Sequence, residues 1–153
     1  MLPDLLLPLA DQFQPLNLFR YLTFRTGGAV MTAMILSLLI GPAFIRWLKS
    51  HQAEGQPIRS DGPESHILTK AGTPTMGGLL ILGTFVLSTL LWVPLGNQYL
   101  WPVLIVAIGF GAIGAIDDWL KLKNRSSAGL RSYQKFTLQT ALALVTIIYL
   151  IEL

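Results

Sequence analysis

The most constraining feature of this sequence is a stretch without any charged residue that runs from Ala71 to Ile116. At roughly 46 residues, it is about twice as long as a helix that crosses a 30 Å hydrocarbon core, so it is expected to cross twice. The turn between the crossings is predicted near Pro94 and Gly96, since these residue types interrupt helices. Because the stretch shows no alternation of apolar and polar residues, both crossings are expected to be helices.

The remaining charge pattern predicts two further spans. One uncharged run lies between Arg25 and Arg46, and another follows Lys135. The predicted fold class is therefore all-α, a polytopic integral membrane protein with four transmembrane helices. The spans are expected near 26–48, 74–95, 99–118 and 134–153, joined by loops 49–73 and 119–133. Residues 1–22 are predicted to form an interfacial segment, and residues 23–153 the membrane domain.

Composition supports this class and excludes others. The chain is 52% hydrophobic with a mean hydropathy of +0.57, which is atypical of a soluble domain. Its net charge of +3 comes from basic residues that flank the apolar runs, so we predict no nucleic-acid partner. The positive-inside rule places both long loops in the cytoplasm. With no cysteine, the sequence excludes thiolate metal sites and disulfides.

Two adjacent carboxylates, Asp117 and Asp118, end the charge-free stretch. Acids are unfavourable at the edge of the hydrocarbon and at the partly negative C-terminal end of a helix. Lys121 can reach either carboxylate on one helical face, and a divalent cation such as Mg²⁺ would compensate them more strongly. A stripe of small residues leads to Asp118, so this acid is expected to face other helices while Asp117 points elsewhere. Alternatively, both acids simply mark the boundary with water.

A second candidate region begins at Lys70 and enters the second predicted span. Thr73 is predicted to cap that helix, with Pro74 at its first position. A helix start of this kind offers free amides to a phosphate, and Lys70 and the hydroxyl of Thr75 could assist. A well-capped helix without a ligand is the alternative interpretation.

Other polar residues of the two loops are weaker candidates. His66 could serve in acid–base chemistry or contact a phosphate, although a solvated loop histidine is the simpler interpretation. Lys121 and Lys135 belong to a basic group that could hold an anionic substrate or only set the membrane topology. Together, the acid pair, the helix start and the basic group suggest a metal-assisted reaction of phosphate or diphosphate groups.

Three motifs resemble those of the phospho-N-acetylmuramoyl-pentapeptide transferase family. They read DGPESH at 61–66, KAGTPTMGG at 70–78 and GAIDDWLK at 114–121. The resemblance implies Mg²⁺-dependent transfer of phospho-MurNAc-pentapeptide from UDP-MurNAc-pentapeptide to undecaprenyl phosphate, yielding lipid I and UMP. It places the protein in the lipid bilayer of the bacterial inner membrane and its reaction at the cytoplasmic face.

The resemblance also implies roles for individual residues. Asp117 and Asp118 would be the catalytic pair and candidate metal ligands. Substrate-binding positions would be Lys70, Thr75, Lys121 and Lys135; His66 is added to them from its own chemistry, not from the resemblance. Members of the family are considerably longer, so we expect this chain to be a partial bundle of a larger fold and inactive alone. The sequence does not fix its oligomeric state, and a homodimer is one candidate.

Other functions compete with this interpretation. Related transferases of polyprenyl phosphate and sugar 1-phosphates share the acid pair but differ in the first loop. A non-enzymatic membrane protein that binds a partner through glycine-rich helices would explain the small-residue stripe but not the motif at 70–78. Half of a transporter is disfavoured, because the sequence has no ionisable residue in the middle of a span.

Overall fold

The structure is a computed structural model that describes residues 1–52, 74–126 and 128–153. These residues form helices and no β-strand. The α-helices are α1 (Leu2–Leu6), α2 (Leu22–His51), α3 (Gly78–Trp92), α4 (Leu100–Lys123) and α5 (Ser132–Ile151), with 3-10 helices at Leu7–Leu9 and Gln14–Arg20. The all-α prediction is confirmed for the described part of the chain.

Three helices, rather than the four predicted, are long and apolar enough to cross a membrane. They are α2, α4 and α5, with 30, 24 and 20 residues. Helix α3 has only 15 residues, which span about 22 Å at the helical rise of 1.5 Å per residue. This length is less than a hydrocarbon core of about 30 Å, so the predicted count of four spans is wrong for the described residues.

The shortness of α3 has a backbone cause at each end. Met76 adopts a left-handed conformation with φ of 70°, which is incompatible with a continuous α-helix, and the helix begins only after Gly77. The predicted helix start at Pro74 is therefore wrong. At the other end, Val93 is extended, as expected for a residue before Pro94. The predicted turn between the second and third helices is confirmed at this position.

Small polar side chains join α3 to α2. Ser88 donates a hydrogen bond to the Ala29 carbonyl at 2.6 Å, and Ser37 donates to the Thr84 hydroxyl at 3.2 Å. Thr84 and Ser88 are only 4% and 3% exposed. Interfaces between membrane helices use this combination of small size and interhelical hydrogen bonding, because apolar contact alone gives little driving force within lipid.

The N-terminal segment packs at the end of α3. Phe19 stacks on Trp92 with 5.7 Å between ring centroids, and Trp92 donates a hydrogen bond to Thr32 of α2 at 2.9 Å. The amino group of Met1 donates to the Val93 carbonyl at 2.8 Å. Residues 1–22 are therefore attached to the helices, and their interfacial location remains a prediction.

Two glycines of α4 allow its neighbours to pack closely. The Leu82 side chain of α3 lies against Gly111, and the Leu142 side chain of α5 lies against Gly109. This packing brings the C-terminal end of α4 close to the segment before α3 and to the start of α5. Large apolar side chains cover the outside of the helices; for example, Leu39 is 72% exposed and Ile151 is 78% exposed. Such a surface is suited to lipid or to further apolar protein.

Candidate active site

Asp117 is a buried carboxylate between two lysines. It is 6% exposed, and its Oδ2 lies 2.8 Å from the Nζ of Lys121 and 3.2 Å from the Nζ of Lys135. Its Oδ1 accepts a hydrogen bond of 2.8 Å from the main-chain N–H of Leu130. Two cations and one amide thus compensate a charge that would otherwise be costly to bury.

The loop between α4 and α5 can approach Asp117 because residue 129 is a glycine. A Cβ built on Gly129 would lie 2.8 Å from the Asp117 Cγ and 2.9 Å from its main-chain oxygen, and closer still to Oδ1. These distances are too short for an unperturbed side chain. Gly129 therefore permits the contact between Leu130 and Asp117.

Asp118 has different partners and is more accessible. Its Oδ2 accepts a hydrogen bond of 2.7 Å from the Thr75 hydroxyl, and its Oδ1 lies 3.4 Å from Lys121. The Asp118 side chain is 27% exposed, whereas that of Asp117 is 8% exposed. The prediction that Asp117 points away from the bundle is wrong: it is the more buried acid, because α5 and the preceding loop pack over it.

Thr75 precedes α3 and is held by Gln52, the residue that follows α2. The Thr75 N–H donates to the Gln52 side-chain oxygen at 2.8 Å, and the Gln52 amide donates to the Thr75 carbonyl at 3.3 Å. The Thr75 hydroxyl is used by Asp118. Thr75 thus lies before the helix and binds an acid, and its predicted role in phosphate binding stays a prediction.

A cavity of about 230 Å³ lies beside the two acids. Asp117 and Asp118 contribute its acidic part, and Gly111, Gly114 and Ala115 of α4 belong to its lining. Leucines and Met76 from the α3 side supply most of the remaining surface. A cavity with carboxylates next to small and apolar residues can admit a group that has both a polar and an apolar part.

The structure describes three of the five other predicted site residues. It places Thr75, Lys121 and Lys135 in contact with the acid pair, so these three residues share one site with it. Lys70 and His66 lie outside the described residues. Lys123 points elsewhere, with its Nζ 5.0 Å from the centre of the Trp119 ring.

The acid pair alone does not fit a magnesium site. Among the described residues, no group of three or more His, Cys, Asp or Glu side chains could hold a metal ion. The carboxylates are instead compensated by Lys121 and Lys135, which would compete with a cation for the same oxygens. A hard divalent cation usually needs several oxygen ligands, so the described residues provide an incomplete set.

Sequence reasoning missed Gln52 and Gly129. Both act through contacts with residues distant in sequence, and neither belongs to a recognisable catalytic motif. A glycine shortly before a predicted helix was a weak signal for Gly129, but nothing in the sequence indicates that its neighbour Leu130 binds Asp117.

Comparison with known proteins identifies the motif that contains Thr75. Residues 70–82 match the sequence model described as phospho-N-acetylmuramoyl-pentapeptide-transferase signature 1. A phospho-N-acetylmuramoyl-pentapeptide-transferase of Granulibacter bethesdensis is 56% identical over 153 residues, which is 100% of this chain and 42% of that relative. One from Maricaulis maris is 51% identical over 149 residues, 97% of this chain and 41% of the relative. By sequence, the chain matches the N-terminal part of members of this family.

The chain spans less than half the length of these two phospho-N-acetylmuramoyl-pentapeptide-transferases and corresponds to their N-terminal part. The family resemblance drawn from the three motifs is confirmed. The family signature at 70–82 includes Thr75, whose hydroxyl donates a hydrogen bond to Asp118. The signature and the acid pair, distant in sequence, are thus parts of one site.

Proposed function

We propose that the full-length protein, in which this sequence forms the N-terminal part, transfers phospho-MurNAc-pentapeptide from UDP-MurNAc-pentapeptide to undecaprenyl phosphate. An oxygen of the lipid phosphate attacks the sugar-linked phosphorus, and the bond from this phosphorus to the UMP oxygen breaks. Lipid I and UMP are the products. The observation that carries the proposal is the 2.7 Å hydrogen bond between Thr75, inside the family signature, and Asp118.

The two acids have different proposed roles in this reaction. Asp118 is partly exposed beside the cavity, and it is the carboxylate that meets the substrate and accepts the remaining proton of the lipid phosphate. Asp117 holds Lys121 and Lys135 at the site. Their positive charges offset the negative charges of the lipid phosphate and of the sugar-linked phosphate. Lys70 and His66 lie outside the described residues and remain proposed substrate-binding residues on the sequence alone.

Mg²⁺ dependence is also part of the proposal, although the described residues do not supply a complete ligand set. The ion would neutralise phosphate charge, and most of its oxygen ligands would come from outside the described residues. The active face is proposed to be cytoplasmic in a bacterial inner membrane, since loop 119–133 is rich in Lys and Arg. We further propose that this chain alone is inactive.

The donor nucleotide tests the proposal against related sugar-phosphate transferases. Purified full-length protein in detergent is given undecaprenyl phosphate and Mg²⁺ with either UDP-MurNAc-pentapeptide or UDP-N-acetylglucosamine, and UMP and lipid product are quantified. We expect equal amounts of UMP and lipid I with the first donor only. Turnover of UDP-N-acetylglucosamine alone would assign the protein to a different transferase, and no turnover of either would contradict the proposed function.

A further inference from the structure

Gln52 is the feature of this site that the proposed chemistry does not use. Its side-chain amide binds both main-chain polar groups of Thr75, accepting from the N–H at 2.8 Å and donating to the carbonyl at 3.3 Å. An amide can do both at once because it carries an acceptor oxygen and a donor nitrogen side by side. Gln52 thus pairs with Thr75 much as a neighbouring peptide group would.

This pairing compensates for the absence of a helix at Thr75. The residue is 8% exposed, lies before α3 and precedes Met76, whose φ of 70° marks an abrupt turn. No intrahelical hydrogen bond therefore fixes its main chain. Within the described part of the chain, the partner of both the N–H and the carbonyl of Thr75 is Gln52.

The orientation of the Thr75 main chain determines where its hydroxyl points. With Gln52 in place, the hydroxyl donates to Asp118 Oδ2 at 2.7 Å. Threonine has few χ1 rotamers, so a rotation of its main chain moves the hydroxyl with it. Loss of Gln52 would release this hydrogen bond without removing either residue that makes it.

We propose that Gln52 is a positioning residue, which fixes Thr75 so that the Thr75 hydroxyl orients the Asp118 carboxylate. Gln52 itself does not touch the substrate. Its effect on turnover rests on the proposed transferase function. Its effect on the accessibility of Asp118 does not, so the two can be tested separately.

The first test is a double-mutant cycle in the full-length transferase. Gln52→Ala and Thr75→Val each remove the Thr75–Asp118 contact, and each is expected to lower kcat roughly tenfold while KM changes less than about twofold. Because both act through one contact, the double variant should be no slower than the slower single variant. Gln98→Ala, an exposed glutamine in the turn before α4, is the matched control and should retain wild-type kinetics.

A conservative variant separates positioning from folding. Gln52→Glu keeps the size and the acceptor for the Thr75 N–H but loses the donor to the carbonyl, so an intermediate kcat is expected. If Gln52→Ala does not fold, Gln52→Glu replaces it in the cycle. Independent, multiplicative losses for the Gln52 and Thr75 variants would overturn the inference, as would a Gln52 variant that raises KM alone.

The second test requires no catalysis. Carboxylates of the full-length protein are labelled with a carbodiimide and glycine ethyl ester, and the rates at Asp118 and at the exposed Glu152 are compared by mass spectrometry. Gln52→Ala, or Gln52→Glu in its place, should raise the Asp118 rate severalfold, as should Thr75→Val, with no further rise in the double variant. An unchanged Asp118 rate in the Gln52 variant would refute the positioning role. If the wild type shows no transfer, but the Gln52 and Thr75 variants raise the Asp118 labelling rate and the double variant raises it no further, the proposed function fails and the positioning role stands.

Discussion

At the scale of single residues, the site consists of a buried acid that organises cations and a neighbouring acid left accessible. Asp117 uses both carboxylate oxygens within the protein, whereas Asp118 is tied to Thr75 and only weakly to Lys121. Adjacent residues on a helix point about 100° apart, so the pair can serve two purposes at once.

The first prediction concerns stability. Asp117→Asn should destabilise the protein by about 1–3 kcal/mol, because Lys121 and Lys135 lose the buried negative charge that they share. Asp118→Asn should have a smaller effect, since its amide oxygen can still accept from Thr75. Thermal unfolding of both variants in detergent measures this difference. Equal melting temperatures for the two variants would contradict the assignment of Asp117 to the structural role.

The second prediction concerns the loop over Asp117. Gly129→Ala should displace the loop and weaken the hydrogen bond from Leu130, at a cost of about 1–3 kcal/mol for overpacking. The control is Gly96→Ala in the turn before α4, where a Cβ meets nothing within 4 Å. The melting temperatures of both variants are compared with that of the wild type. A Gly129→Ala variant as stable as the control would show that the close contact between this loop and Asp117 does not require a glycine.

Residue pairs close in sequence were predictable, and pairs distant in sequence were not. Helical spacing alone placed Lys121 within reach of both acids, and the structure confirms both contacts. The hydrogen bond from Thr75 to Asp118 joins residues 43 positions apart, and it depends on a left-handed Met76 that no local pattern indicates. The sequence therefore identified most of the described participants but not how they are connected.

At the scale of helices, glycines and small polar residues determine which faces meet. The ring of Trp92 covers Gly28 so closely that a Cβ there would collide with it, whereas a Cβ on the adjacent Gly27 meets nothing within 4 Å. Two neighbouring glycines in α2 thus have opposite environments.

The third prediction uses this contrast. Gly28→Ala should lower the melting temperature, because Trp92 must leave its position and its hydrogen bond to Thr32. Gly27→Ala should be neutral or stabilising by up to about 1 kcal/mol, since alanine is the better helix former. Circular dichroism of the two variants during heating gives the comparison. If both variants have the same melting temperature, the packing of α2 against α3 described above is incorrect.

Helix positions followed from the charge pattern better than helix lengths did. The apolar run before Arg46 predicted 26–48, and α2 extends from Leu22 to His51. The run from Ala71 predicted a full span at 74–95, yet α3 is restricted to Gly78–Trp92. Hydropathy does not register the turn at Met76, because the residues before α3 are as free of charge as the helix itself.

At the scale of the whole molecule, the described residues present extensive apolar surface together with the candidate site at the end of α4. Helices α2, α4 and α5 can each span a hydrocarbon core, and their outer faces carry exposed leucine, isoleucine and valine side chains. In the proposed full-length transferase, lipid and further helices would cover this surface, and additional polar groups would complete the site.

The fourth prediction follows from the incomplete set of metal ligands. The chain of residues 1–153 should release no UMP from UDP-MurNAc-pentapeptide, with or without Mg²⁺, while the full-length protein should require Mg²⁺. Chelation of the metal should abolish activity, and added Mg²⁺ should restore it. Lipid I formation by residues 1–153 alone would show that the described acids and lysines suffice.

The proposed role of Asp118 is tested most directly by the rate of lipid I formation in full-length protein carrying Asp118→Asn, compared with the wild type at the same concentration of folded protein. We expect equal amounts of UMP and lipid I from the wild type. For the variant we expect a kcat lower by about 100-fold or more, as when a proton acceptor is removed, with little change in melting temperature. A variant that forms lipid I at the wild-type rate would contradict the proposal that the Asp118 carboxylate, which Thr75 orients, accepts the proton during transfer.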